Sequence, residues 1–242
     1  MVKHYNKLWV FGDSYSSPGI CVDPQDSFWG LTAQQAGIGT IKNCSRPINS
    51  FDSVCHLLIS MQEHIDWGND LVLVGIPPLE RITIVDNNTT PLYYGHTIRT
   101  DNWTIDQFEI DYHYGLTGVQ NYGFDKQLIV HSNRAWLETQ TLRTIFLLTT
   151  WLDSLNANYM ILNLSKDFTT KKWAPSNFVL PYCVNHPRCI LFKNTYYSIN
   201  IGVNWPADSP SSNNWHGHHG PAGNKHYFEN SLLLALKRNK LC

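Results

Sequence analysis

Leu71-Val72-Leu73-Val74-Gly75 carries no polar side chain. A strand at a surface alternates apolar with polar residues, so an unbroken apolar run reads as a strand covered on both faces, as in a parallel sheet between two layers of helices. Leu8-Trp9-Val10-Phe11 has the same character, and Tyr159 to Leu164 reads as another parallel strand. Shorter strands are expected at Thr40 to Cys44 and at Cys189 to Phe192. Helical spacing runs from Phe28 to Ala36, where Gly37 and Gly39 stop it, and from Phe51 to Ile65, with Asn49 or Ser50 as the cap. It resumes from Arg134 to Leu155 and in a last helix from about Pro221 to Lys240. Strands and helices alternating in this order predict a single-domain, three-layer α/β/α sandwich with a parallel sheet of about five strands. Two stretches break the pattern and read as irregular, aromatic-bearing insertions, at about 82–128 and 166–187. The first mixes Tyr93, Tyr94, Trp103, Phe108, Tyr112, Tyr114, Tyr122 and Phe124 with polar residues, which suits either packing over the sheet edge or lining a substrate pocket.

A chain of 242 residues buries enough core to fold without metal or disulfide staples. Its net charge of -1 gives no basic surplus of the kind that nucleic acid or an anionic membrane surface selects, so neither partner is expected. Met1 to Asn6 is polar and leads directly into the first strand, and no later stretch is apolar for about 18 residues. A cytoplasmic or virion-associated protein, neither secreted nor membrane-spanning, is therefore expected. The 6 cysteines are scattered without a Cys-x-x-Cys pair, which predicts free and mostly buried thiols.

The first apolar run ends at Gly12-Asp13-Ser14, which puts a hydroxyl just past the carboxyl end of a strand, the edge where open α/β sheets place their ligands. Serine needs a neighbouring base to become a nucleophile. The other end of the chain offers one in Trp215-His216-Gly217-His218-His219-Gly220, just before the last helix. If both pieces reach one sheet edge, His218 is the first candidate base and His216 the second. A tetrahedral oxyanion needs N–H donors, for which the Ser14 amide and an amide at Ile48 or Asn49 are candidates. Arg81, beyond the third strand, is a candidate for facing the substrate, or else the partner of Glu80 in a structural ion pair. The histidine cluster with His226 also raises a metal site, but it has no fixed ligand spacing and no second acidic cluster. No metal or cofactor is expected, because nucleophile, base and oxyanion donors all come from the chain.

Together these blocks resemble the SGNH (GDSL-like) hydrolase family over nearly the whole length, most closely a variant associated with bacteriophage genomes that also carries a Tyr-x-x-x-Asn strand, here Tyr159 to Asn163. Gly12-Asp13-Ser14 matches the first block, Asn43 to Ser50 resembles the second, Leu71 to Gly75 the start of the third, and His218 to Gly223 the last. The resemblance implies a flavodoxin-like sheet, Ser14 as nucleophile, His218 as base, and ester hydrolysis on a small-molecule or glycan ester such as an O-acyl carbohydrate. The chain departs from the family at three places. Ile48 stands at the second-block glycine, Pro77-Pro78 replaces the Asn-Asp after the third strand, and the acid expected three residues before the histidine is Trp215 or Asn213. Asp208 is the nearest candidate to orient the ring. These departures leave an alternative reading open: a weak or inactive SGNH-like scaffold that binds glycan or forms part of a virion.

Overall fold

The computed structural model describes residues 3–17, 23–46, 49–78, 81–85, 95–99, 110–111, 134–165, 179–192, 195–196 and 220–242. Its centre is a parallel sheet of β1 (Leu8–Phe11), β2 (Ile41–Asn43), β3 (Leu71–Ile76), β7 (Asn158–Asn163) and β8 (Cys189–Ile190), in the order β2-β1-β3-β7-β8. The α/β three-layer architecture expected from the apolar runs is the one observed. Register is continuous across the middle: Leu8 pairs with both Ile41 and Leu71, and Leu71 in turn with Asn158.

The two faces of the sheet are two separate cores, and strand alternation decides which residue joins which. Leu8, Val10, Leu71, Leu73, Met160 and Leu162 face one side and pack with Phe28, Trp29 and Ala33 of α1 (Phe28–Ala36) and with Leu232 and Leu236 near the C-terminus. Trp9, Phe11, Val72, Val74, Tyr159 and Ile161 face the other. There they meet Val54 and Leu58 of α2 (Phe51–Ser60) and Ile145, Leu148 and Leu152 of α3 (Arg134–Ser154). All four residues of β1 and all six of β3 are buried, as an all-apolar strand requires.

Local chemistry sets the helix ends. Ser27 caps α1 by accepting from the Gly30 N–H at 2.9 Å, and Gly37 ends it at φ 67°, a left-handed conformation that glycine adopts without a Cβ penalty. Of the two candidate caps for α2, Ser50 is the one that accepts, from Ser53 N–H at 3.3 Å. That helix stops at Ser60, and a 3-10 turn at Gln62–His64 continues the path to Ile65. The C-terminal helix is α5 (Pro221–Tyr227), a π-helical segment (Phe228–Leu232) and α6 (Leu233–Arg238) in succession.

The two expected irregular insertions are not wholly irregular. The first contains a separate antiparallel sheet of β4 (Arg81–Val85), β5 (Gly95–Arg99) and β6 (Ile110–Asp111), in the order β4-β5-β6. Its strands have five, five and two residues, too short for a period-two pattern to stand out among the surrounding aromatic and polar residues. The second contains α4 (Val179–Asn185), hidden because Pro181 reads as a breaker; it stands in the first turn, where its missing N–H has no helical partner to lose. The thiols are also less deeply placed than expected: Cys44, Cys55, Cys183, Cys189 and Cys242 are free, but only Cys183 is buried and the other four are half-buried. Cys21 lies outside the described residues. Among the described residues no helix is long and apolar enough to cross a membrane.

Candidate active site

β1 lies between β2 and β3, and the connections leave it toward opposite sides: α1 leads to β2, and α2 leads back across to β3. Its carboxyl end is thus the switch point of the sheet, the place where such folds open a crevice. Gly12, Asp13 and Ser14 follow there in a tight turn, and all three are buried, with Ser14 at 8% exposure.

The turn is held from within and from β2. The Asp13 carboxylate accepts from Tyr15 N–H at 3.1 Å, the Asp13 carbonyl from Ser16 N–H at 3.0 Å, and the Ser14 carbonyl from Ser17 N–H at 3.4 Å. Those three amides are spent on shaping the turn and are not oxyanion donors. From the side of β2, Arg46 N–H donates to the Gly12 carbonyl at 3.2 Å and the Asn49 side-chain amide donates to the same oxygen at 3.1 Å. Asn43 completes the brace: its Nδ2 donates to the Ser16 carbonyl at 2.7 Å while its Oδ1 accepts from Ser45 N–H at 2.9 Å. Asn43, and the side chain of Asn49 as opposed to its main-chain amide, are the positioning groups that the sequence pattern did not single out. Their signal was present in the Asn-rich segment after the second strand, where short amide side chains bond readily to nearby backbone.

Two close approaches explain the glycines at this edge. A Cβ on Gly12 would lie 2.6 Å from the Ser16 hydroxyl, and one on Gly75 would lie 2.4 Å from a Leu164 methyl and 3.2 Å from that same hydroxyl. Ser16 is therefore tucked between the ends of β1 and β3, at 1% exposure, and its hydroxyl finds no hydrogen-bond partner among the described residues. The Ser45 hydroxyl is likewise buried without one. Burial pushes the Cys44 thiol, the one closest in sequence to this edge, up from its usual range, against the pull of Arg46 and Lys42.

An aromatic floor runs from beside Ser14 to the C-terminal helix. Tyr15 meets Tyr196 edge-on at 5.6 Å, Tyr196 meets Phe28 at 5.7 Å and Tyr227 at 5.2 Å, and Phe28 meets Tyr227 at 5.7 Å. Asn224, in the first turns of α5, accepts from Phe28 N–H at 3.1 Å through its Oδ1 and donates to the Gly220 carbonyl at 3.1 Å. The start of α5 is thereby fastened to the start of α1, the helix that leaves the carboxyl end of β1.

Of the residues singled out by sequence, Ser14 and Asn49 are brought to this edge. Arg81 opens β4, its backbone in register with Arg99. His218, His216, Asp208 and Ile48 lie outside the described residues. Pro77 and Pro78 follow β3 directly, with Pro77 buried. Among the described residues no group of three or more His, Cys, Asp or Glu side chains is arranged to hold a metal ion. No family model and no curated protein matches the chain.

Proposed function

We propose that the chain is a serine ester hydrolase of the SGNH type, acting on small-molecule or glycan esters. The observation that carries this reading is the placement of Ser14: it stands at the carboxyl end of an inner strand, at the switch point of the sheet, in a turn braced by the side chains of Asp13, Asn43 and Asn49. A nucleophile needs such fixation because misplacing it by about an ångström costs on the order of 100-fold in rate. The Gly220 end of α5, two residues beyond His218, is fastened to the N-terminus of α1, which favours an approach of the histidine segment to the same edge.

In the proposed cycle His218 takes the proton as Ser14 Oγ attacks the ester carbonyl, and returns it to the departing alcohol. Water, deprotonated by the same ring, then releases the acyl group and regenerates the serine. The Ser14 amide and an amide of the segment at Ile48 or Asn49 are the proposed oxyanion donors. Turnover of p-nitrophenyl acetate by the purified protein beside its Ser14→Ala and His218→Ala variants tests this. Loss of turnover in both supports it, and equal rates in all three dismiss it.

One observation favours a second reading, an inactive scaffold that binds glycan or belongs to a virion. Pro77, buried at the end of β3, has neither an N–H nor a side-chain amide to offer where the resembled family carries Asn. The same assay decides between the two.

A further inference from the structure

Tyr196 meets residues from both ends of the chain. Its ring packs edge-on against Tyr15, the residue after Ser14, at 5.6 Å, and edge-on against Tyr227 of α5 at 5.2 Å. Phe28, which opens α1, lies 5.7 Å from both Tyr196 and Tyr227. Tyr196 is 1% exposed, and Phe28 and Tyr227 are as deeply buried. Rings set edge-on attract one another beyond the area they bury, and a close-packed interior passes the displacement of one ring on to its neighbours.

The backbone under Tyr196 is fixed by β7. Tyr196 N–H donates to the Asn163 carbonyl at 3.2 Å. Asn163 is fully buried, and its side chain serves the same segment: Nδ2 donates to the Leu191 carbonyl at 3.1 Å, and Oδ1 accepts from Ser165 N–H at 3.0 Å. The Thr195 hydroxyl then donates to the Ser165 carbonyl at 3.1 Å. Through β7, which pairs with β3, Tyr196 is tied to the central sheet. The two pieces that lean on its ring are the turn after β1 and the helix α5.

We infer that Tyr196 is a positioning residue whose ring sets the spacing between the Ser14 turn and α5, the helix that follows His218 in the chain. The inference rests on the hydrolase reading for what that spacing serves, and on the ring contacts for the spacing itself. Asn163 acts one step further back, by holding the segment that carries the ring.

Amide hydrogen exchange in the full-length chain, read by NMR, tests the coupling without requiring turnover. The reporters at one end are Tyr15 and Ser16, whose N–H groups donate to Asp13. Those at the other are Phe28, whose N–H donates to Asn224, and Asn224, whose N–H donates to Gly220. Leu71 N–H, bonded to the Lys7 carbonyl at the amino end of the sheet, reports on the fold as a whole. In Tyr196→Leu the amides at both ends are expected to exchange at least about tenfold faster, the order of what an edge-on ring pair contributes, with a smaller change at Leu71. Tyr196→Phe keeps the ring and is expected to keep the unsubstituted rates. Should Tyr196→Leu fail to fold, Tyr15→Leu is the milder variant, because Tyr15 is only half-buried, and Phe28 and Asn224 should still respond by about threefold. A change at Leu71 as large as at the reporters would mean that Tyr196 merely stabilises the fold, and a response at one end alone would mean that it couples nothing; either overturns the inference. Turnover of p-nitrophenyl acetate keeps the two readings apart. A lower kcat with KM little changed in Tyr196→Leu supports the positioning role, and an unaltered kcat in a chain that does turn over overturns it. The expected exchange pattern in a chain without turnover dismisses the hydrolase reading and leaves the coupling standing.

Discussion

Asn49 donates from its side-chain amide to the main-chain carbonyl of Gly12 across 3.1 Å, joining the segment before α2 to the residue that starts the Ser14 turn. Because Arg46 N–H donates to the same oxygen, removing the amide does not leave that carbonyl unpaired. Asn49→Ala should therefore cost only about 1 kcal/mol in a urea melt. The variant keeps its main-chain N–H, so any oxyanion donor at Asn49 survives, and only the brace is lost. With the turn freed on one side, kcat for an activated ester is expected to fall about tenfold with KM little changed. A fall in KM-dependent binding with kcat intact would mean that the side chain touches substrate instead.

Gly12 and Ser16 form a second coupled pair. An added Cβ at Gly12 would sit 2.6 Å from Ser16 Oγ and 3.1 Å from its Cβ, and Ser16 is itself buried, at 1% exposure. Gly12→Ala alone is expected to lose about 1 to 3 kcal/mol, the usual cost of overpacking. Ser16→Ala removes a buried hydroxyl without a partner among the described residues and should be neutral or slightly stabilising. The Gly12→Ala/Ser16→Ala double variant should recover much of what Gly12→Ala loses, because it removes the hydroxyl at 2.6 Å and leaves only the 3.1 Å Cβ contact. A double-mutant cycle read by urea denaturation gives the coupling directly, and additive losses would place the strain elsewhere.

The sheet was legible because β1, β3 and β7 are buried on both faces, a condition that leaves an apolar run in the sequence whatever the surroundings. Helices α1, α2 and α3 were legible for the same reason, since each covers one sheet face and must repeat at the helical period. The small sheet of β4, β5 and β6 was not, because five- and two-residue strands bear too few alternations to outweigh their setting. Nor was α4, with Pro181 in its first turn. The turn at Gly12-Asp13-Ser14 just past β1 was legible, because a strand-to-turn junction is a local property of the chain. The braces from Asn43 and Asn49 were not, because a side-chain amide reaching a carbonyl 27 or 37 residues away depends on which strand lies beside which.

Alkaline pH should unfold the protein through groups that keep their protons in the folded state. Burial pushes the Cys183 thiol from 9.0 up to about 12. Burial, aided by Cys242, pushes the Tyr5 hydroxyl from 10.0 up to about 12, and Tyr227 and Tyr159 are raised further in the same direction, mainly by burial. A raised folded-state pKa means that the folded chain holds the proton more tightly than the unfolded one. The stability is thus fully present below the unfolded value and is lost as pH rises toward the folded one. For Cys183 the window runs from 9.0 to about 12. Each such group steepens the loss by about 1.4 kcal/mol per pH unit inside its window. Unfolding free energies measured from about pH 8 to about pH 11 should fall progressively, and Cys183→Ala should flatten the slope by one proton's worth. An unchanged slope in that variant would show that the thiol titrates alike in both states.

At the opposite edge of the sheet from Ser14, Trp9 Nε1–H donates to Asp70 Oδ2 at 2.8 Å, joining β1 to the residue that precedes β3. Asp70 is fully buried. Its Oδ2 also accepts from Asp66 N–H at 3.1 Å, while its Oδ1 finds no partner among the described residues. Trp9→Phe leaves an aromatic ring against Phe11, at present stacked at 6.2 Å, but takes one of the donors away from a carboxylate that water does not reach. A hydrogen bond to a buried charged group is worth about 1.5 to 3 kcal/mol, and the smaller ring adds a packing loss, so a total near 3 kcal/mol is expected in a urea melt. Because Asp70 lies at the amino end of the strands and the Ser14 turn at their carboxyl end, esterase turnover per folded molecule should stay at the unsubstituted level. Asn49→Ala predicts the reverse balance, a small stability loss with a large loss of rate. Measured side by side, the two variants separate what keeps the sheet together from what aims the serine, and a matching fall in turnover for Trp9→Phe would show that strand pairing at the amino edge controls the geometry of the turn.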